Sequence, residues 1–176
     1  DIETKKRFAQ AALEHSRRAV ALDGDNPVNI LSLAVSHGKL AVYSDPKAKV
    51  KYSRLVREDA ERALALDPGY AWAHHVLGRW HYEVATLGVS ARLFVRLFYG
   101  GLPPASLDEG VRCLQRAIEL EPGELNHHLE LGFAHAAAGQ PEQARRAWRT
   151  GLAMPSSGKH DEPAKQRARE ALAALD

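Results

Sequence analysis

Two arginines in an apolar segment are the first residues whose spacing suggests chemistry. Arg92 and Arg96 stand four positions apart, and apolar side chains fill most of the stretch between Leu87 and Tyr99. On a helix from about Ser90 to Tyr99, the arginines share one face and apolar residues share another. These apolar residues are Leu93, Phe94, Leu97 and Phe98. Such a helix would either wall off a pocket for an acyl chain, with arginine meeting a phosphate, or fill the core between neighbouring helices.

A second charged pair has the spacing of a helical salt bridge. Arg79 and Glu83 are four residues apart, so they face one another on a helix. This favours a structural ion pair. The functional alternative is that Arg79 offers its positive charge to an anionic ligand.

Three histidines recur at one position of a long repeat. His37, His81 and His135 are separated by 44 and 54 residues. Helices of adjacent repeats pack roughly 10 Å apart, whereas zinc–nitrogen bonds measure about 2.0–2.1 Å. The three side chains therefore cannot share one metal ion. We predict structural roles for them, and neither a metal nor another cofactor.

A run of basic residues without an acid lies between Pro46 and Arg57. Its members are Lys47, Lys49, Lys51, Arg54 and Arg57. The pattern is typical of a solvated helix face. The alternative is a surface for an acidic peptide or an anionic membrane, near which each basic residue contributes about 1 kcal/mol. Tyr52 is the single aromatic residue in the run, which argues against nucleic acid as a partner.

Composition excludes several other function classes. The 176 residues include one cysteine, Cys113, so an internal disulfide and a cysteine-rich zinc site are excluded. The sequence has no glycine-rich phosphate loop and no GxSxG elbow. No apolar run approaches the length of about 18 residues that a membrane-spanning helix needs. We therefore predict a protein without catalytic activity.

Repeated helix endings indicate the architecture. Ala63–Pro68 (ALALDP) and Ala117–Pro122 (AIELEP) each predict a helix end followed by a proline stop, and Ala19–Gly24 is a third copy. Successive copies lie 44 and 54 residues apart, whereas Ala117 and Gly151 are 34 residues apart. The shortest interval matches the tetratricopeptide period of about 34 residues. The longer intervals predict insertions near residues 43–52 and 86–105.

The chain is rich in strong helix formers, with 29 alanines and 22 leucines. We predict an all-α fold and one domain over residues 1–176. It would be a right-handed superhelix of about three tetratricopeptide-like helix pairs, with an inserted helix and a C-terminal capping helix over 161–175. The other predicted helices span 2–22, 27–43, 47–66, 70–87, 106–120, 124–138 and 141–153.

The segment from residue 75 to 106 resembles the regulator of microtubule dynamics family. Leu77–Ala85 (LGRWHYEVA) is similar to the LGRWxYEVA signature of that family, and Leu97–Ser106 is similar to the end of its inserted segment. The likeness extends in outline over nearly the whole chain. His81 stands where the family usually has cysteine.

The resemblance implies a helical adaptor domain, and a mitochondrial member of the family is described as binding and transferring phospholipids at organelle contacts. We therefore predict a concave groove for a phospholipid, an acyl chain or an extended peptide. The predicted groove residues are Arg79, Trp80, Tyr82 and Glu83 from the signature, and Arg92, Phe94, Arg96 and Phe98 from a lid formed by the insertion. The alternative is a structural protein–protein adaptor that uses its basic surface.

The chain begins with Asp1 rather than methionine. We therefore expect a fragment or a processed form, which leaves room for a signal peptide or an anchor upstream. The sequence does not assign a compartment.

Overall fold

The computed structural model describes residues 1–175, and that part of the chain is all helical, with no strand. Its helices are α1 (Ile2–Leu22), α2 (Pro27–Val42), α3 (Pro46–Leu66), α4 (Ala71–Ala85), α5 (Val89–Tyr99), α6 (Leu107–Leu120), α7 (Leu125–Ala137), α8 (Pro141–Ala153) and α9 (Asp161–Ala173). The all-α prediction is confirmed, and the helix ends lie within two residues of their predicted positions. Asp176, the last residue of the predicted domain, lies outside the described residues. Within the described residues, no helix is both long enough and apolar enough to cross a membrane.

Local sequence explains where the helices begin. Proline occupies the first turn of α2, α3 and α8, where its missing N–H has no partner to lose. The side chains of Asn26, Asp45 and Ser106 each accept a hydrogen bond from a backbone N–H of the following turn. These caps fix the starts of α2, α3 and α6.

The helices pack as successive pairs. The most extensive contacts join α2 to α3, α4 to α6, and α7 to α8. Helix α1 packs on α2, and α9 packs on both α7 and α8. The inserted helix α5 interrupts the second pair, and among the described helices it packs on α3. This arrangement is a tetratricopeptide-like repeat with an inserted helix and a closing helix.

Close helix crossings explain several of the small residues. An added Cβ at Gly132 would lie 2.3 Å from Cδ1 of Trp148, and one at Gly151 would lie 2.6 Å from Cδ2 of Leu129. Trp148 is buried, and its Nε1 donates to the carbonyl oxygen of Leu129 at 3.1 Å. The crossing of α7 and α8 therefore has no room for larger side chains at its two glycines.

The substitution Gly132→Ala is expected to lower the free energy of unfolding by about 1–3 kcal/mol, the usual cost of overpacking. This loss of stability is expected even though alanine favours the helix over glycine by about 1 kcal/mol. Urea unfolding followed by far-ultraviolet circular dichroism measures it. Gly123→Ala is the matched control, because an added Cβ at Gly123 meets nothing within 4 Å. Equal stability of the two variants would mean that the crossing accepts the methyl group.

Candidate binding site

Two of the predicted groove residues on α4, Arg79 and Tyr82, contact a buried carboxylate of α7. Arg79 Nε donates to Glu83 Oε1 at 2.7 Å, and its Nη1 lies 3.7 Å from Glu130 Oε1. The Tyr82 hydroxyl donates to Glu130 Oε2 at 2.5 Å. Glu130 is only 6% exposed, and it also accepts a hydrogen bond from Arg167 of α9. The predicted ion pair between Arg79 and Glu83 is confirmed.

The arginines keep Glu130 ionised. Burial by itself raises the pKa of this carboxyl group, but the charges of Arg79 and Arg167 more than offset it and hold the pKa below its usual value. Burial and the neighbouring Glu130 carboxylate raise the pKa of the Tyr82 hydroxyl, which therefore stays protonated as a donor. Because two carboxylates share the charge of Arg79, its geometry favours a structural role over a free anion-binding role.

Trp80 faces α3 instead of this network. Its side chain is buried, and its Nε1 donates to the carbonyl oxygen of Ser53 at 2.8 Å. The Arg57 guanidinium lies 5.2 Å from the centroid of the Trp80 ring. Trp80 therefore supports the packing of α4 on α3 and does not line an open groove.

The inserted helix, predicted to form a lid, contacts the repeat on one side. It packs at the start of α3, beside the end of α4. A pocket of about 380 Å³ lies between α5, the end of α4 and residues 101–105. Arg92 and Arg96 line this pocket together with apolar residues, which include Val84, Leu87, Val95, Leu102 and Pro103. We call this space the insertion pocket.

Phe94 and Phe98 lie on the outward face of α5. Their side chains are 45% and 68% exposed, and their ring centroids are 4.8 Å apart. The predicted groove residues thus do not form one site. They divide among the Glu130 network, the α3–α4 packing, the insertion pocket and the outward face of α5.

The five basic residues of α3 divide into two sets. Three are exposed lysines, namely Lys47, Lys49 and Lys51. Arg54 and Arg57 are half-buried: Arg54 Nε donates to the carbonyl oxygen of Gly101 at 3.0 Å, and Arg57 Nη1 donates to that of Pro104 at 3.1 Å. The prediction of one solvated basic face is therefore wrong for these two arginines. They donate hydrogen bonds to backbone carbonyl groups of the loop after α5, which are not paired within a helix.

A second pocket, of about 560 Å³, joins the basic helix to the inserted helix. Lys47, Lys51 and Arg54 line it on one side, and Phe98 and Tyr99 line it on the other. The exposed lysines and the outward aromatic side chains are therefore neighbours, although they are far apart in the sequence.

The three histidines in register hold neighbouring segments together. His37 Nδ1 lies 2.8 Å from Asp59 Oδ2, and His135 Nδ1 lies 2.6 Å from Gln140 Oε1. His81 Nδ1 accepts the backbone N–H of Ser106 at 3.3 Å. These contacts confirm the structural roles predicted for them. Residues 1–175 contain no group of three His, Cys, Asp or Glu side chains placed to hold a metal ion.

A buried pair of histidines was not predicted from the sequence. His75 Nδ1 and His127 Nδ1 lie 2.9 Å apart between α4 and α7, and the Trp72 ring lies 4.9 Å and 4.8 Å from the two imidazoles. Burial lowers the pKa of His75 to about 3 and that of His127 to about 4, so both are neutral at pH 7. The sequence gives no signal for this pair, because the contact depends on how two repeats stack.

The chain is similar to known proteins over its whole length. Residues 1–176 match the family model described as Regulator of microtubule dynamics protein 1-3. The chain is 30% identical to Regulator of microtubule dynamics protein 3 of Xenopus laevis over 123 residues, which cover 70% of this chain and 27% of that protein. It is 24% identical to Regulator of microtubule dynamics protein 2 of Macaca fascicularis over 172 residues, which cover 97% of this chain and 42% of that protein. The chain thus spans less than half the length of these relatives.

The fold has a counterpart among solved structures. A crystal structure of MamA aligns with a TM-score of 0.53 at 18% identity, covering 99% of this chain and 88% of that chain. The likeness supports the helical-repeat fold of this chain.

Proposed function

Because the chain belongs to the regulator of microtubule dynamics family and has a tetratricopeptide-like fold, we propose that it is a binding module without catalytic activity. The family and the fold suggest a protein-interaction module, and neither is enzymatic in kind. Within the module, we assign ligand binding to the insertion pocket. The proposed ligand is an amphiphile with an anionic head group and an apolar tail, such as a phospholipid.

The observation that supports this assignment is the pairing of two arginines with apolar walls. The volume of about 380 Å³ lies within the range of about 300–1,000 Å³ that is typical of small-molecule sites. Arg92 donates to the carbonyl oxygen of Ala85, whereas no carboxylate of residues 1–175 pairs with Arg96. A guanidinium group suits a phosphate, and the apolar walls suit an acyl chain.

The alternative is a structural adaptor that uses the basic surface of α3 for a protein or peptide partner. Its support is the exposure of Lys47, Lys49 and Lys51. The other two basic residues add little to such a surface, because they are bound to the loop of the insertion. The insertion pocket offers the more specific chemistry.

We expect the double variant Arg92→Gln/Arg96→Gln to bind anionic phospholipid at least about tenfold more weakly, since a hydrogen bond to a charged group is worth about 1.5–3 kcal/mol. Native mass spectrometry after incubation with phosphatidic acid vesicles measures the bound lipid. Arg116→Gln on α6 is the matched control, because that arginine is exposed and pairs with Glu119 at 2.9 Å. Absence of lipid on the wild-type protein would contradict the assignment, as would equal uptake by the double variant and the control.

A further inference from the structure

The inserted helix turns its apolar side away from the protein. Five of its side chains are between 45% and 85% exposed, namely Val89, Leu93, Phe94, Leu97 and Phe98. Its two arginines and Val95 face the insertion pocket instead. A helix that serves only the core would have the opposite orientation. The exposed face is contiguous, because the five positions share one side of α5, and contiguous apolar patches of this kind mark interaction surfaces.

Positive charge borders this apolar face. Lys47 and Lys51 line the same pocket as Phe98, whereas Lys49, two positions from each of them, points to another side of α3. Residues 46–57 and 86–106 together contain seven lysines and arginines and no acid. The rest of the chain has 17 basic residues against 22 acidic ones. The positive charge of the chain is therefore concentrated at the insertion.

We propose that the outward face of α5 and two exposed lysines of α3, Lys47 and Lys51, form a docking surface for an anionic lipid bilayer. The apolar side chains of such a helix sink about 5–10 Å into the boundary between head groups and acyl chains. The lysines then meet anionic head groups, and each adds about fivefold to the affinity.

Charge and shape favour a bilayer over the other occupants. In a symmetric dimer two copies of this basic surface would face each other, so like charges would oppose contact with a second copy of the chain. Four of the five apolar side chains, all but Phe98, lie outside the second pocket, so they form a helix surface that can sink into a soft layer. A protein partner would need an apolar cleft with an acidic border, which makes it the alternative outcome of the test.

The docking surface goes beyond the proposed function, because it lies on the opposite side of α5 from the insertion pocket. Surface binding and lipid uptake can therefore be measured separately.

Vesicle flotation tests the proposal with phosphatidylcholine vesicles and with vesicles that also contain phosphatidylserine. We expect the wild-type chain to float mainly with the anionic vesicles. Leu97→Ser/Phe98→Ser should weaken this binding by about 100-fold, because two large apolar side chains no longer enter the bilayer. Lys47→Glu/Lys51→Glu should abolish the preference for phosphatidylserine, with a loss of at least about 30-fold.

Matched variants at exposed residues outside α3 and α5 control for general changes in hydrophobicity and charge. Phe8→Ser/Leu22→Ser removes two exposed apolar side chains, and Arg17→Glu/Lys159→Glu reverses two exposed charges. Both should float like the wild type. The proposal is overturned if the wild type binds neither vesicle, or if the control variants lose as much binding as the surface variants. It is also overturned if Leu97→Ser/Phe98→Ser abolishes self-association or capture of a protein while vesicle binding persists.

Discussion

Lowering the pH from 7 to 5 is expected to reduce the free energy of unfolding by about 2 kcal/mol for each of two buried histidines. In the folded chain His75 has a pKa of about 3 and His127 a pKa of about 4. In the unfolded chain both return to the ordinary value of about 6.5. Between these values the unfolded chain binds protons that the folded chain does not. The stability that the pair contributes is therefore complete above pH 6.5, and it falls as the pH drops toward 4.

The structure gives the physical reason why the pair resists protonation. The imidazoles share one hydrogen bond at 2.9 Å, and that bond requires at least one of the two nitrogens to be unprotonated. His127 Nε2 is buried with no hydrogen-bond partner among the described residues, and the nearest carboxylate oxygen, Glu121 Oε2, is 3.6 Å away. Arg79 and Arg167 lower the pKa of His75 further, although Glu130 opposes them.

Urea unfolding at pH 7, 6 and 5 measures this dependence, in a range above the protonation of most carboxylates. In the variant His75→Leu/His127→Leu, the free energy of unfolding should depend less steeply on pH, with a slope smaller by up to about 2.7 kcal/mol per pH unit. His15→Leu is the control, because His15 is exposed on α1 and its replacement should leave the slope near that of the wild type. An unchanged slope in the double variant would mean that the pair is protonated in the folded chain.

The helices could be predicted from the sequence because their signals are local. Proline in the first turn and an Asx cap mark the starts of α2 and α3, and Ser106 caps α6. The repeated ending marks where α3 and α6 stop, and none of these signals requires any knowledge of packing. The period of about 34 residues then identifies the segments that do not belong to the repeat. The inserted helix was found in this way, together with its division into an arginine face and an apolar face.

The orientation of α5 could not be predicted, because it depends on tertiary contacts. The usual rule turns the apolar face inward. Here Arg92 reaches the carbonyl of Ala85 at the end of α4, while Arg54 and Arg57 bind the carbonyls that follow α5. These bonds orient the insertion with its arginines inward. A helix that departs from this packing rule, and that specific polar contacts hold in place, is typical of functional surfaces.

The Glu130 network yields a second large expected effect. The double variant Arg79→Met/Arg167→Met should lose about 3–5 kcal/mol of unfolding free energy at pH 7, because it leaves a buried carboxylate without a positive partner. Glu130 would keep the Tyr82 hydroxyl as its donor, and one neutral hydrogen bond does not compensate for its lost hydration. The contact of the Arg167 guanidinium with the Phe133 ring, at 4.3 Å from its centroid, would be lost as well.

Replacing the carboxylate in the same background should reverse most of this loss. Arg79→Met/Arg167→Met/Glu130→Gln keeps an acceptor for Tyr82 and removes the unpaired charge, so we expect it to be more stable than the double variant. The control Arg116→Met/Arg169→Met removes two exposed ion pairs and should stay within about 1 kcal/mol of the wild type. If Arg79 served mainly to bind an anionic ligand, its loss would weaken ligand binding with little effect on unfolding, and Glu130→Gln would rescue nothing. Rescue by the triple variant would therefore assign Arg79 to the scaffold and leave anion binding to the arginines of the insertion.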